Sequence, residues 1–244
     1  MPGNEDTPVV WFVGAGPGDP ELITVKGRAL LDTADVLLYA GSLVSSALVA
    51  TCAAPEKVDS WGMNLDDIVG LMADRAQQGR TVVRLHSGDP ALFGSIVEQI
   101  AELRKREIRV SIVPGVSSVF AAAAALGTEF TPRGVSETLI ITRPAGKTLE
   151  TDHIAGLSQF PATMAFFLGS EHFADITAKL VCPRDTPAAV IFHASWPDQQ
   201  IITGTVADIA AKAADAGITR SALLIVGRAV LGPDSGYRRS HLYS

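Results

Sequence analysis

Short β-branched runs and longer amphipathic segments alternate along this chain, and that alternation constrains the fold more than any single motif. The runs Val9-Val10-Trp11-Phe12-Val13, Val36-Leu37-Leu38-Tyr39, Thr81 to Leu85 and Val110 to Val113 read as strands. Between them lie helical patterns, among them Leu65 to Gln78 and a stretch opening at Ser95, where Ser95 and Glu98 have the spacing of a capping box. Strand-helix alternation of this kind implies a parallel sheet covered on both faces. After a small-residue helix, Ser117 to Leu126, the segment Gly127-Thr128-Glu129-Phe130-Thr131-Pro132-Arg133-Gly134 interrupts the pattern with turn residues. Strands resume at Thr138 to Thr142, Thr163 to Phe167, Ala188 to Phe192, Gln200 to Thr203 and Ala222 to Val226, with helical patterns near 148–158, 170–180 and 205–216. The expected architecture is therefore two α/β lobes, 1–128 and 129–244, the first on a parallel sheet and the second on a mixed one. A cleft between such lobes is the usual place for a small-molecule site.

Composition narrows the partners. Hydrophobic residues make up 47% and charged residues 19% of the 244, which predicts a folded chain throughout. A formal net charge of −6 disfavours a nucleic-acid or anionic-membrane surface, which would need clustered Lys and Arg. Cys52 and Cys182 are far apart with no C-x-x-C, and the five histidines show no metal-ligand spacing. The opening Met-Pro-Gly-Asn-Glu-Asp lacks the basic and apolar regions of a signal peptide, and no apolar run approaches ~18 residues. The expectation is a cytoplasmic protein with no membrane, metal or nucleic-acid partner.

The turn Gly14-Ala15-Gly16-Pro17-Gly18-Asp19 after the first strand invites a dinucleotide reading, but the residues argue against it. The third glycine of that fingerprint is replaced by Asp19, a carboxylate that repels a diphosphate. The next helix begins only after Thr24, so its dipole stands away from the loop. The second strand ends Leu38-Tyr39-Ala40, with no acid to hold a ribose. Two further turns follow strands: His86-Ser87-Gly88-Asp89-Pro90-Ala91-Leu92-Phe93-Gly94 and Val113-Pro114-Gly115-Val116-Ser117-Ser118. Each has a plain alternative, since Asp89-Pro90 also starts helices. Three Gly/Pro turns at one sheet edge nevertheless suggest a shared site.

These three turns, in this order and spacing, resemble the tetrapyrrole methylase family, S-adenosylmethionine enzymes that methylate uroporphyrinogen and the precorrins. The resemblance spans essentially the whole chain. Tyr39-Ala40-Gly41-Ser42-Leu43-Val44, Trp61-Gly62-Met63-Asn64-Leu65 and Ala194-Ser195-Trp196-Pro197-Asp198 narrow it to one branch, whose members usually run somewhat beyond His241-Leu242-Tyr243-Ser244. It implies two α/β lobes with the methyl donor bent in the cleft, a homodimer, and S-adenosyl-L-methionine as donor without a metal. Carried over by position, it assigns donor contacts to Pro17, Ser87, Gly88, Asp89, Leu92, Ser117 and Ser118, and to Leu168, Ala194 and Ala222 in the second lobe. Leu168 stands where relatives often have Met, and Ala194 where several have Gly.

Methyl transfer from a sulfonium is an in-line displacement, so positioning supplies much of what the enzyme adds, and no catalytic residue is nominated. Asp89 either orients the donor or shapes its turn. The tetrapyrrole's carboxylates must meet local cations, with Lys26, Arg28, Arg84, Arg133 and Arg143 as candidates and His86 and His193 beside them. Arg104-Lys105-Arg106 closes an amphipathic helix, where cations complement the dipole. The open alternatives are methylation at another ring position, a related diphthine or ribosomal RNA methyltransferase, and a donor-binding module without turnover.

Overall fold

The computed structural model describes residues 8–146 and 148–239. The chain divides into two compact units that meet at Ser118 and Val119. In the first, the chain runs through β1 (Val9–Gly14), α1 (Val25–Thr33), β2 (Val36–Tyr39), α2 (Ser46–Thr51), β3 (Glu56–Asp59), α3 (Leu65–Gln77), β4 (Val82–His86), α4 (Ile96–Lys105) and β5 (Arg109–Val113). Its five strands are all parallel, in the order β3-β2-β4-β1-β5. The apolar runs are continuous because both faces are covered. Val10, Phe12, Leu38 and Val82 pack under α3 and α4, and Val13, Leu37, Val83 and Leu85 pack on the opposite face with Leu31 and Leu48.

The second unit takes in α5 (Ser118–Leu126) from its second residue on, β6 (Leu139–Thr142), α6 (Ile154–Leu157), β7 (Thr163–Phe166), α7 (Phe173–Lys179), β8 (Pro187–Phe192), β9 (Gln200–Thr205), α8 (Ile209–Asp215) and β10 (Ala222–Val226), then a 3-10 segment Arg228–Ser235. Its sheet is mixed, in the order β6-β7-β10-β8-β9, with β6 and β7 parallel and the other pairs antiparallel. The division falls earlier than the 128/129 boundary expected from the sequence. The reason is packing: Val119, Ala121 and Ala122 of α5 join the core of the second sheet with Ala165, Ala189 and Ile225.

Several local expectations change. The helix at Thr24 is as read, with the Thr24 hydroxyl accepting from Gly27 N at 3.1 Å. The capping box is not formed. Ser95 lies in the left-handed region (φ 49°, ψ 37°) and its side chain makes no cap bond. The polar strand β3 and the short α2 were not foreseen. The helix expected over 148–158 shrinks to α6 because the Asp152 carboxylate accepts from Ala145 N at 2.9 Å and Ile154 N at 3.2 Å, an alternative to helical pairing. In the same way Asp208 accepts from Thr205 N at 2.7 Å, so α8 starts only at Ile209.

Candidate active site

Parallel strands deliver their carboxyl ends to one edge, and β4, β1 and β5 are neighbours. The three Gly/Pro turns are therefore side by side. Their contact is backbone to backbone. Ala15 N donates to His86 O at 2.7 Å, Gly88 N to Gly16 O at 2.8 Å, and Gly16 N to Gly88 O at 3.3 Å. A Cβ on Gly14 would lie 2.5 Å from Gly115 Cα, and one on Gly115 would overlap Gly88 O and come within 2.7 Å of Gly14 Cα. Gly16 (φ 80°) and Gly88 (φ 62°) occupy the left-handed region. Four of the glycines thus let three loops interlock where any side chain would hold them apart.

Asp89 ties the second turn to the third. One carboxylate oxygen accepts from Ala91 N at 2.7 Å and the other from Gly115 N at 2.8 Å. Bonds to an ionised acceptor contribute about 1.5–3 kcal/mol each, so Asp89 builds the rim whatever else it does. Asp19 caps the 3-10 turn Pro20–Leu22, accepting from Glu21 N at 2.9 Å. Around this knot Pro17 and Ser117 are buried, Asp89, Leu92 and Ser118 are partly buried, and Ser87 is exposed. The first unit therefore brings Pro17, Ser87, Gly88, Asp89, Leu92, Ser117 and Ser118 to one rim.

The second unit has a rim of its own. The pairings Leu224 with Phe166 and Ala222 with Phe192 put the end of β7, the end of β8 and the start of β10 at one edge. Leu168, Ala194 and Ala222 follow or begin these strands. Ala194 and Ala222 are buried, whereas Leu168 is 60% exposed. Ser170 Oγ donates to Ala222 O and accepts from Ala222 N, both at 3.1 Å, and His193 N donates to Ser221 O at 3.2 Å. Leu168 (φ 53°), His193 (φ 48°), Ser195 (φ 71°) and Ser221 (φ 53°) all hold left-handed conformations. Such strain, of order 1–3 kcal/mol per residue, collects at functional sites. The His193 ring stacks with Phe192 (centroids 3.8 Å apart) and with Trp196 (4.9 Å), and its Nδ1 is 2.9 Å from both Asp198 oxygens.

The candidate cations sort clearly. Lys26 Nζ lies 5.4 Å from the Trp11 ring centre, Arg28 pairs with Asp32 at 2.5 Å, Arg133 donates to Arg239 O at 3.0 Å, and Arg143 to Thr148 Oγ1 at 2.8 Å. Arg84 differs: it is buried, and its Nη1 donates to Ser60 Oγ at 2.8 Å. Burial pulls its pKa down to about 10, and it stays charged at neutral pH. His86 is also buried, its ring stacked on Phe12 with centroids 5.4 Å apart. Burial first, and then repulsion by Arg84, lower its pKa to about 3, so it is neutral. Arg104, Lys105 and Arg106 close α4 as read. His241 lies outside the described residues. Sequence reasoning missed Asp59, whose Oδ1 accepts from Gly41 N and Trp61 N, both at 2.9 Å, and so joins two of the branch-marking turns. The one available signal was the run Val58-Asp59-Ser60 at the end of a strand too polar to be noticed.

Among the described residues no group of three or more His, Cys, Asp or Glu side chains could hold a metal ion, and no helix is long and apolar enough to cross a membrane. The profile of the Tetrapyrrole (Corrin/Porphyrin) Methylases matches residues 9–210, and the chain belongs to that family. It is 47% identical over 240 residues to the cobalt-precorrin-4 C(11)-methyltransferase of Methanocaldococcus jannaschii, covering 96% of this chain and 92% of that one. It is 45% identical over 238 residues to the precorrin-4 C(11)-methyltransferase of Pseudomonas aeruginosa, covering 96% and 94%. Among solved structures, a cobalt precorrin-4 methyltransferase described as a cobalamin biosynthetic enzyme superposes with a TM-score of 0.87 at 42% identity, covering 91% and 95%. The uroporphyrin-III C-methyl transferase of Thermus thermophilus, complexed with S-adenyl homocysteine, gives 0.79 at 29%, covering 91% and 92%.

Proposed function

We propose that this protein transfers a methyl group from S-adenosyl-L-methionine to C11 of precorrin-4 or cobalt-precorrin-4, giving the corresponding precorrin-5 in cobalamin biosynthesis. The observation that carries this reading is near full-length identity of 47% and 45% to relatives named for that reaction on the two forms of the substrate. The three-turn knot supports it locally, because its backbone N–H groups are spent on holding the loops together and do not form a phosphate cradle. The proposed donor contacts are Pro17, Ser87, Gly88, Asp89, Leu92, Ser117 and Ser118 in the first unit and Leu168, Ala194 and Ala222 in the second. Their chemistry fits the donor. Pro17, Ala194 and Ala222 are buried apolar surface for its non-polar parts, and Ser87, Ser117 and Ser118 offer hydroxyls to its polar ones.

The donor, when bound, supplies an already activated methyl on a sulfonium. The residues of this chain have to hold it in line with the acceptor carbon at roughly 3–3.5 Å and exclude water, since loss of charge at sulfur is favoured in an apolar surrounding. A rim locked by Gly14, Gly88, Gly115 and Asp89 is suited to that task because its backbone has no room to shift. The protein is further proposed to be a cytoplasmic homodimer working without nucleic acid, membrane or resident metal. The unpaired Cys52 and Cys182 suit a reducing compartment, and sedimentation of the purified chain tests the dimer.

The deciding experiment incubates the protein with methyl-labelled donor and either precorrin-4 or cobalt-precorrin-4, then locates the new carbon by NMR. A label at C11 is the expected result, and the better substrate identifies the route. A label elsewhere on the ring overturns the position. Retained donor binding with no transfer to either acceptor would leave a donor-binding module instead.

A further inference from the structure

Three buried polar atoms of the described residues lack a partner within one layer of the first unit: Arg84 Nε, His86 Nε2 and Gln99 Oε1. The layer is defined by alternation. Arg84 and His86 share a strand face with Val82, which packs under α3 and α4, and Gln99 is buried on α4 with Ile96 and Leu103. His86 ends β4 at the carboxyl edge beside Gly14, Arg84 stands two residues before it, and Ser60 follows β3. Arg84 is only 6% exposed and His86 8%. None of the ion pairs among the described residues includes Arg84. Asp59 supports its charge only at longer range, and that carboxylate is engaged by the N–H groups of Gly41 and Trp61.

An isolated guanidinium out of water is costly to keep, and a fold that needed only packing there would do as well with an apolar side chain of similar volume. The geometry points to a ligand that completes the charge. We propose that Arg84 and His86 form a buried receptor for one carboxylate arm of the tetrapyrrole acceptor. The guanidinium supplies the charge and its unpartnered Nε–H, and the neutral imidazole, in its Nε2–H tautomer, supplies a second donor. Ser60 holds the far end of the guanidinium through Nη1 and itself donates to Tyr39 O at 3.0 Å, so the fork is aimed before the acceptor arrives. This rests on the methyltransferase reading above.

Arg84→Met tests it, compared with the parent protein. The expected result is a KM for the tetrapyrrole raised at least tenfold, kcat and donor affinity within about twofold, and a melting temperature no lower than the parent's. Affinity for uroporphyrin III, a stable tetrapyrrole with carboxylate arms, falls by a similar factor in a direct fluorescence titration. An unchanged KM overturns the proposal, as does a loss of donor binding and thermal stability in step with KM, which would mark a packing role. If Arg84→Met does not fold, Arg84→Lys keeps the charge and loses the fork. It should raise KM severalfold at unchanged melting temperature, and no change there also overturns the proposal. A parent protein that methylates neither precorrin-4 form sinks the earlier reading alone, because the uroporphyrin III titration still decides this one.

Discussion

At the rim of the first unit glycines let backbone touch backbone, whereas at the rim of the second Leu168, His193, Ser195 and Ser221 hold left-handed conformations with their side chains intact. Both rims end strands that turn sharply, but they solve the turn differently. The first removes atoms, and its shape follows from what is missing at Gly14, Gly88 and Gly115. The second keeps its atoms and is held in place by specific bonds, such as Ser170 to Ala222 and His193 to Asp198. A rim made by omission should fail abruptly when an atom is added. A rim made by strain should relax when atoms are taken away.

The largest expected effect is Gly115→Ala. Its Cβ meets backbone at Gly88 and Gly14, which cannot swing aside as a flexible side chain would. We expect a loss of about 3 kcal/mol or more in unfolding free energy and at least a tenfold loss of donor affinity, read by denaturation and calorimetry. Gly156→Ala is the control, since a Cβ there meets nothing within 4 Å inside α6, and Ala should be neutral or stabilising by up to about 1 kcal/mol. Equal effects at the two positions would show that close approach of the loops is not what the first rim depends on.

The second effect separates the units by acid. His86 is neutral in the folded protein, with its pKa lowered from 6.5 to about 3, while the unfolded chain takes up a proton near 6.5. Its contribution to stability is therefore full above that value and falls away as pH drops from about 6.5 towards 3, a loss of about 3 kcal/mol by pH 4.5. The depressed carboxylates, Glu56 in the first unit and Asp152 and Asp208 in the second, begin to matter only at lower pH. Hydrogen exchange at pH 4.5 should show the first unit opening before the second, and His86→Phe should remove most of the difference. Identical profiles for parent and variant would mean that His86 is not held neutral by the fold.

These contrasts explain what was legible in the sequence. The first rim was readable because glycine and proline mark turns by what they lack, and because parallel strands must bring Gly16, Gly88 and Gly115 to one edge once their order is known. Strands β2 and β10 were readable to the residue because both their faces are buried. The capping box at Ser95 misled because residue spacing says nothing of the backbone angle at which Phe93 and Ser95 enter α4. β3 escaped because Glu56 and Lys57 carry no apolar signal, its place being set by Glu56 with Arg75 and Arg80. The left-handed angles of the second rim had no signature, although the resemblance had marked Leu168, Ala194 and Ala222. Leucine and serine are not turn markers, and nothing in a linear reading marks the left-handed angles they hold.

The smallest effect is therefore the most discriminating. Ser221→Gly and Leu168→Gly replace residues at φ 53° with the one residue that adopts that angle freely. Relief of strain, less the extra entropy that glycine loses on folding, should stabilise the second unit by about 0.5–1 kcal/mol per site, a rise of roughly 2–4 °C in melting temperature. If the strain serves to aim Ala194, Ala222 and their neighbours at the donor, each variant gains stability and loses donor affinity severalfold. The same substitution made where strain has no task would raise stability and leave binding unchanged. A stabilised Leu168→Gly protein with the parent's donor affinity would thus remove Leu168 from the site and leave the second rim to Ala194 and Ala222.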